Sequence, residues 1–178
     1  MVFRFVAFLW HSLQKSGILG VAGWSGNAYF YANGPRTIPV SEIIVKPGKT
    51  ALAANEIITE VFFSSVASMR TTFVKLGRRK ALSISRMNVA VVAHQDAQGT
   101  VNHIRLAPGC VFATPERAKQ AESVLLGKKP DAALIGAAAK AVAGEMIERT
   151  GVRWSTEYKQ PVITALVRRA LEEVLEVG

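Results

Sequence analysis

An α+β fold is what this sequence predicts: an antiparallel sheet of about three strands packed against C-terminal helices, with a further strand-rich segment before it. Two observations carry the expectation. Runs rich in β-branched and apolar residues at 69–76, 88–94 and 101–107 come before any sustained helical period, and Asp96-Ala97-Gln98-Gly99 between the last two is a hairpin signal. From about residue 114 onward, apolar residues instead recur every three or four positions. Strands followed by helices, without alternation, point to α+β and away from a parallel α/β sheet.

The elements follow in order. Residues 28–31 read as a short strand, Asn33-Gly34-Pro35 as a turn and 37–40 as a second strand. Residues 45–50 read as a loop, and 56–63 alternate well enough for a third strand. After the strand at 69–76 comes a basic turn, then the hairpin. Residues 110–113 are expected to extend its second strand beyond Pro108-Gly109 with a bend or bulge. Thr114-Pro115-Glu116 offers a capping hydroxyl, a proline for the first helical position and an acid for the first turn. Ala118, Ala121, Val124 and Leu125 continue that helix until Gly127 stops it. A second helix is expected over 131–149, its alanines permitting close packing, and a third from near Ser155 or Pro161 through Val174.

Composition narrows the possibilities. A chain of 178 residues with 49% hydrophobic content has material for a real core and no case for disorder. The single cysteine, Cys110, excludes an internal disulfide and any all-cysteine metal or iron–sulfur site. It is expected in the core, because it stands in an apolar run with no base beside it. The apolar start, Val2 to Trp10, is broken by Arg4, lacks a small-residue cleavage site and falls short of the ~20 residues that span a bilayer. A cytoplasmic location without membrane attachment is the expectation.

The net charge of +9 is concentrated: residues 69–119 hold nine Lys and Arg against two Asp and Glu, including Arg70, Lys75, Arg78, Arg79, Lys80, Arg86 and Arg105. Such a cluster suits nucleic acid, an acidic partner, a phosphorylated cofactor or simple solvation. Phe73 is the only aromatic near the basic turn, and single-strand binders stack bases on several, so nucleic acid is not the expected partner.

Other motifs lead nowhere catalytic. Gly48-Lys49-Thr50 resembles the end of a phosphate loop, but Ile43 stands where that loop needs its first glycine. His11, His94 and His103 lack ligand spacing, and the last two are expected to face each other across the hairpin. The serines show no nucleophile-elbow pattern. No residue is assigned a catalytic or metal-binding role. In Phe73-Val74-Lys75-Leu76-Gly77-Arg78-Arg79, a strand delivers a lysine and a turn adds two arginines, an arrangement able to set cations around a phosphate or an electron-rich ring.

That run resembles the "F-x-K-x-x-R-R" element of the C-terminal domain of molybdenum hydroxylase flavoproteins, the FAD-binding medium subunits of the carbon monoxide dehydrogenase and xanthine dehydrogenase family. Other pieces fall in the same order: Gly34-Pro35-Arg36-Thr37-Ile38-Pro39-Val40, Pro47-Gly48-Lys49-Thr50 and Asn55-Glu56-Ile57-Ile58 upstream, then Arg86-Met87-Asn88-Val89, Ile104-Arg105-Leu106-Ala107-Pro108-Gly109, Ala113-Thr114-Pro115-Glu116-Arg117-Ala118 and Leu166-Val167-Arg168-Arg169-Ala170-Leu171 downstream.

The resemblance implies a remnant of a flavin-binding domain in residues 1–65 and the flavoprotein C-terminal domain in 66–178. It implies an oxidoreductase subunit that takes electrons from iron–sulfur clusters through FAD to an acceptor, with a molybdenum-cofactor large subunit and an iron–sulfur small subunit as partners. Two cofactor-binding positions carry over: Ile58 as an apolar neighbour of the flavin, and Lys75 as a cation near its ring. Arg78 and Arg79 are further candidates for ring electrostatics or subunit contacts. The family's two glycine turns for the pyrophosphate have no counterpart in the sequence; Gly23-Trp24-Ser25-Gly26-Asn27 is the nearest approach. The alternative function is a non-enzymatic basic module that binds nucleic acid or an acidic protein.

Overall fold

Strand β7 (Ser85–Gln95) organises the C-terminal half of the chain. It pairs antiparallel with β6 (Arg70–Gly77) on one side and β8 (Val101–Gly109) on the other, giving the sheet order β6-β7-β8. This is the three-stranded meander expected from the hairpin signals. The computed structural model describes residues 27–30, 36–61, 66–79 and 85–177.

Residues 87–93 are buried without interruption, as a central strand covered on both faces requires. Met87, Val89, Val91 and Ala93 join Val74, Ile104 and Leu106 in one core with the helices; Ala90, Val92 and Ala107 form a second, smaller cluster on the opposite face with Val66 and Met69. Pro108 cannot donate to a ladder and is tolerated because β8 is an edge strand. At the hairpin, Asp96 Oδ1 accepts from the backbone N–H groups of Gln98 and Thr100, both at 2.9 Å, and Gly99 supplies the positive φ of 80°.

The helices are α2 (Lys119–Leu125), α3 (Ala132–Thr150) and α4 (Thr156–Val174). Ile135, Ala138, Ala139, Val142 and Met146 of α3 face the core, and the small residues let α2 and α4 pack against it. Ile163, Val167, Ala170, Leu171 and Val174 turn α4 onto β6 and β7. Asp131 caps α3, its Oδ1 accepting from Leu134 N–H at 2.6 Å. Helix α4 begins at Thr156, so Pro161 lies within it.

Two expectations about the passage from sheet to helix are corrected. Strand β8 stops at Gly109; Cys110 is exposed, with a left-handed φ of 63°, so it neither extends the strand nor lies in the core. The first helix starts at Lys119, not at Pro115. The groups that suggested a cap are engaged elsewhere: Thr114 Oγ1 bonds to Glu116, and Glu116 accepts from Arg149 Nη1 at 2.7 Å. Ala118 N–H meanwhile donates to Leu106 O at 2.8 Å, which holds the approach to α2 against β8.

Upstream, β1 (Asn27–Phe30) lies between β2 (Arg36–Pro39) and β5 (Ile58–Val61), antiparallel to both. The turn read at Asn33-Gly34-Pro35 lies outside the described residues. The expected loop at 45–50 is instead a small hairpin of β3 (Ile44–Lys46) and β4 (Lys49–Thr50), after a one-turn helix α1 (Val40–Ile43). Gly48 makes that turn possible with φ 75°. Lys49 thus opens a strand, whereas a phosphate loop would lead into a helix, and Ile43 is buried completely.

Candidate functional site

The face of the β6-β7-β8 sheet opposite the helix core, which α2, α3 and α4 leave uncovered, carries the candidate site. Alternation along β6 sends Val74 into the helix core and leaves Phe73 and Lys75 on the other side, both exposed. Across the ladder, Lys75 stands opposite Asn88 and Asn88 opposite Gly109; in the next row Phe73, Ala90 and Ala107 align. Asn88 is fully buried. A Cβ on Gly109 would lie 2.2 Å from Asn88 Oδ1, so the glycine makes room for the amide. Lys75 therefore emerges beside a fixed polar residue, with an aromatic ring two residues back on the same strand.

Further along this face, Arg105 stands opposite Val92 and His103 opposite His94, the histidine pairing expected across the hairpin. His94 Nδ1 lies 2.8 Å from Asn102 Oδ1. Burial first, then the nearby Arg105 and Arg117 cations, push the His103 pKa below the ordinary histidine range. Burial and Arg117 also lower that of Arg105. Arg117 is held by Glu122, which accepts from its Nε at 2.9 Å and also from Leu106 N–H at 2.8 Å. This carboxylate is buried on α2 and ties helix, loop and edge strand together. Sequence reasoning gave it no role, though a signal existed: an acid four residues after Ala118 and three before Leu125 sits on the apolar stripe of its helix.

The other sequence-derived positions are spread out. Ile58, on β5, is buried and pairs with Phe30 in the upstream sheet, a different sheet from that of Lys75. Arg78 and Arg79 are exposed just after β6, and Lys80 lies outside the described residues. Cys110 Sγ donates to Ser85 O at 3.7 Å, and its carbonyl accepts from Lys159 Nζ at 3.3 Å. What this arrangement offers is a cation and an aromatic edge on a small-residue floor.

The sequence matches the CO dehydrogenase flavoprotein C-terminal domain family over residues 72–174, more than half of the chain. The chain belongs to this family. Among curated relatives, the nicotine 6-hydroxylase medium subunit of Paenarthrobacter nicotinovorans is 31% identical over 140 residues, covering 79% of this chain and 48% of that protein. The nicotinate dehydrogenase FAD-subunit of Eubacterium barkeri is 26% identical over 129 residues, covering 72% and 44%. The chain thus spans about half the length of the curated relatives it matches. Among solved structures, carbon monoxide dehydrogenase from Hydrogenophaga pseudoflava, in a form lacking the Mo-pyranopterin moiety, superposes with a TM-score of 0.74 at 28% identity, covering 89% of this chain and 55% of that one. The α+β architecture of this flavoprotein family chain is therefore that of a medium subunit of such enzymes. Its relatives are subunits of oxidoreductases, and among the described residues no helix is long and apolar enough to cross a membrane.

Proposed function

We propose that this chain contributes the C-terminal part of the flavoprotein component of a molybdenum hydroxylase. In this reading it works in the cytoplasm, beside a molybdenum-cofactor large subunit and an iron–sulfur small subunit, and helps to pass electrons through FAD to an acceptor. Residues 66–178 form the C-terminal domain, and 1–65 carry the end of the flavin domain. The observation that carries the reading is the family match over 72–174, which begins beside the exposed Phe73 and Lys75.

The residues fit FAD unevenly. Lys75 and the buried Ile58 are the types that suit the ring: an apolar neighbour favours its neutral form and a cation its electron-rich form. FAD, when bound, supplies the step between one-electron donors and a two-electron acceptor. The chain's part is to present Lys75 from a strand whose own cross-strand row holds the buried Asn88 and the Gly109 that makes room for it. Among the described residues the pyrophosphate end has no such support: the glycines of positive φ, Gly48, Gly99, Gly127 and Gly151, stand singly in separate turns. One apolar contact and one exposed cation supply about 2–3 kcal/mol. Association costs at least about 4 kcal/mol, so a useful affinity requires a partner to complete the pocket.

Purification of the tagged chain from its own cells tests the reading. It should bring down two further chains, one with molybdenum and one with iron–sulfur clusters, and flavin in proportion to the complex. Recovery of the chain alone, with neither metal, would refute it.

A further inference from the structure

The connection between α3 and α4 displays its apolar side chains: Trp154 is 97% exposed and Val152 81%, with Tyr158 on the first turn of α4 also exposed. The backbone beneath them is fixed. Gly151 takes a φ of 70° and closes α3 through its N–H to Ile147 O at 2.8 Å. Arg153 N–H donates to Thr156 Oγ1 at 2.8 Å, Thr156 N–H donates back to Arg153 O at 2.9 Å, and Arg153 Nε reaches Thr150 O at 3.0 Å. Tyr158 is steadied from β7, where Arg86 lies 5.6 Å from its ring centroid and donates to its hydroxyl at 3.5 Å.

Tryptophan, tyrosine and arginine on a preorganised backbone are the residues that anchor protein interfaces, because little conformational entropy remains to be lost on docking. Charge selects the occupant. Residues 151–160 carry Arg153 and Lys159 against one acid, Glu157, and Arg86 adds a third cation at the Tyr158 ring. A second copy of this chain would bring like charges together, and an acidic surface complements them. We infer that the α3–α4 turn is a docking site for an acidic protein surface with a recess for Trp154, supplied by a partner subunit. The identity of that partner rests on the assembly proposed above; the docking itself does not depend on any flavin contact.

The test uses the full chain with co-expressed molybdenum and iron–sulfur subunits from the same source, immobilised and titrated by interferometry. Trp154→Ala should weaken binding by about 30-fold or more, the effect typical of an interface anchor. Trp154→Phe should recover most of it, and added salt should slow association. The unfolding midpoint of Trp154→Ala should match the parent's, since the side chain is exposed. Binding by Trp154→Ala equal to the parent's would overturn the inference while leaving the assembly intact. So would a Trp154 effect seen only on anionic phosphatidylserine vesicles, or only on self-association in sedimentation. A parent chain that binds neither subunit would overturn the assembly reading and this inference with it.

Discussion

Residues 36–61 and 70–176 are held together in different ways. The upstream segment relies on a surface clamp: Arg36 grips Glu56 with Nε and Nη2, both at 2.7 Å, and reaches Ala51 O at 2.9 Å, while Ala53 N–H donates to the same carboxylate at 2.7 Å. Its buried hydrophobics among the described residues are Ile43 and Ile58. The downstream segment buries one face of a sheet under three helices and stitches the edges with Arg117–Glu122 and Arg149–Glu116–Glu145. A region with a core of its own tolerates surface change; one built on a charge clamp depends on solution conditions and on what it packs against.

The largest effect that sharpens this contrast is in the core. Leu171→Ala removes a fully buried side chain and should cost about 2–5 kcal/mol in chemical denaturation. Next comes Glu122→Ala, which strands the Leu106 N–H and leaves Arg117 without its partner; about 1–3 kcal/mol is expected by the same measurement. Gly109→Ala should cost a similar amount, about 1–3 kcal/mol, because the new methyl must displace the buried Asn88 side chain. Its diagnostic is local: amide shifts confined to β7 and β8 near those residues.

Acid breaks the comparison from the other side. Hydrogen bonds from Arg36, then from Ala53, hold the Glu56 pKa down to about 2 from its usual 4.5. A depressed carboxyl stabilises the fold above its unfolded pKa and loses that contribution as pH falls, so the clamp should weaken between about 4.5 and about 2. Burial raises the Glu145 pKa, against the opposing effect of Arg149, so the folded chain takes up this proton more readily than the unfolded one and acid does not destabilise α3 through it. Hydrogen exchange at pH 3 should show lost protection across 36–61 and retained protection across α3. Arg36→Ala should mimic the acid effect at neutral pH, with the same loss of protection across 36–61 and none across α3, as expected of an exposed pair. The smallest expected signal is flavin binding: titrating FAD into the isolated chain should give no micromolar affinity, and a yellow protein that bleaches on Lys75→Ala would refute that.

Legibility in the sequence followed the range of the interactions involved. The hairpin at 96–100 was readable because Asp96 bonds two and four residues ahead. The helices α3 and α4 were readable because their apolar stripes repeat locally. The start of α2 was misread because Glu116 answers to Arg149, 33 residues away, and nothing local reveals that. The fate of Cys110 was misread because an apolar run looks the same whether it continues a strand or leaves it. Of the site, Lys75 and Ile58 came from resemblance to a family, not from spacing. The row of Asn88 and Gly109 appears only once strand register is known.

The end of the described chain returns to the sheet. Gln95 donates from Nε2 to Glu176 O at 3.0 Å and accepts Glu176 N–H at 2.8 Å, so a side-chain amide stands in for one rung of a ladder. Arg70, the first residue of β6, meets the Glu176 carboxylate at 2.6 Å. The two limits of this segment therefore lie side by side, and its path through space is nearly a closed ring. A ring has no obligatory beginning: a short linker joining 177 to 69, with new ends opened at the exposed Ala97-Gln98 tip, would reorder the genetic text while leaving the three-dimensional object unchanged.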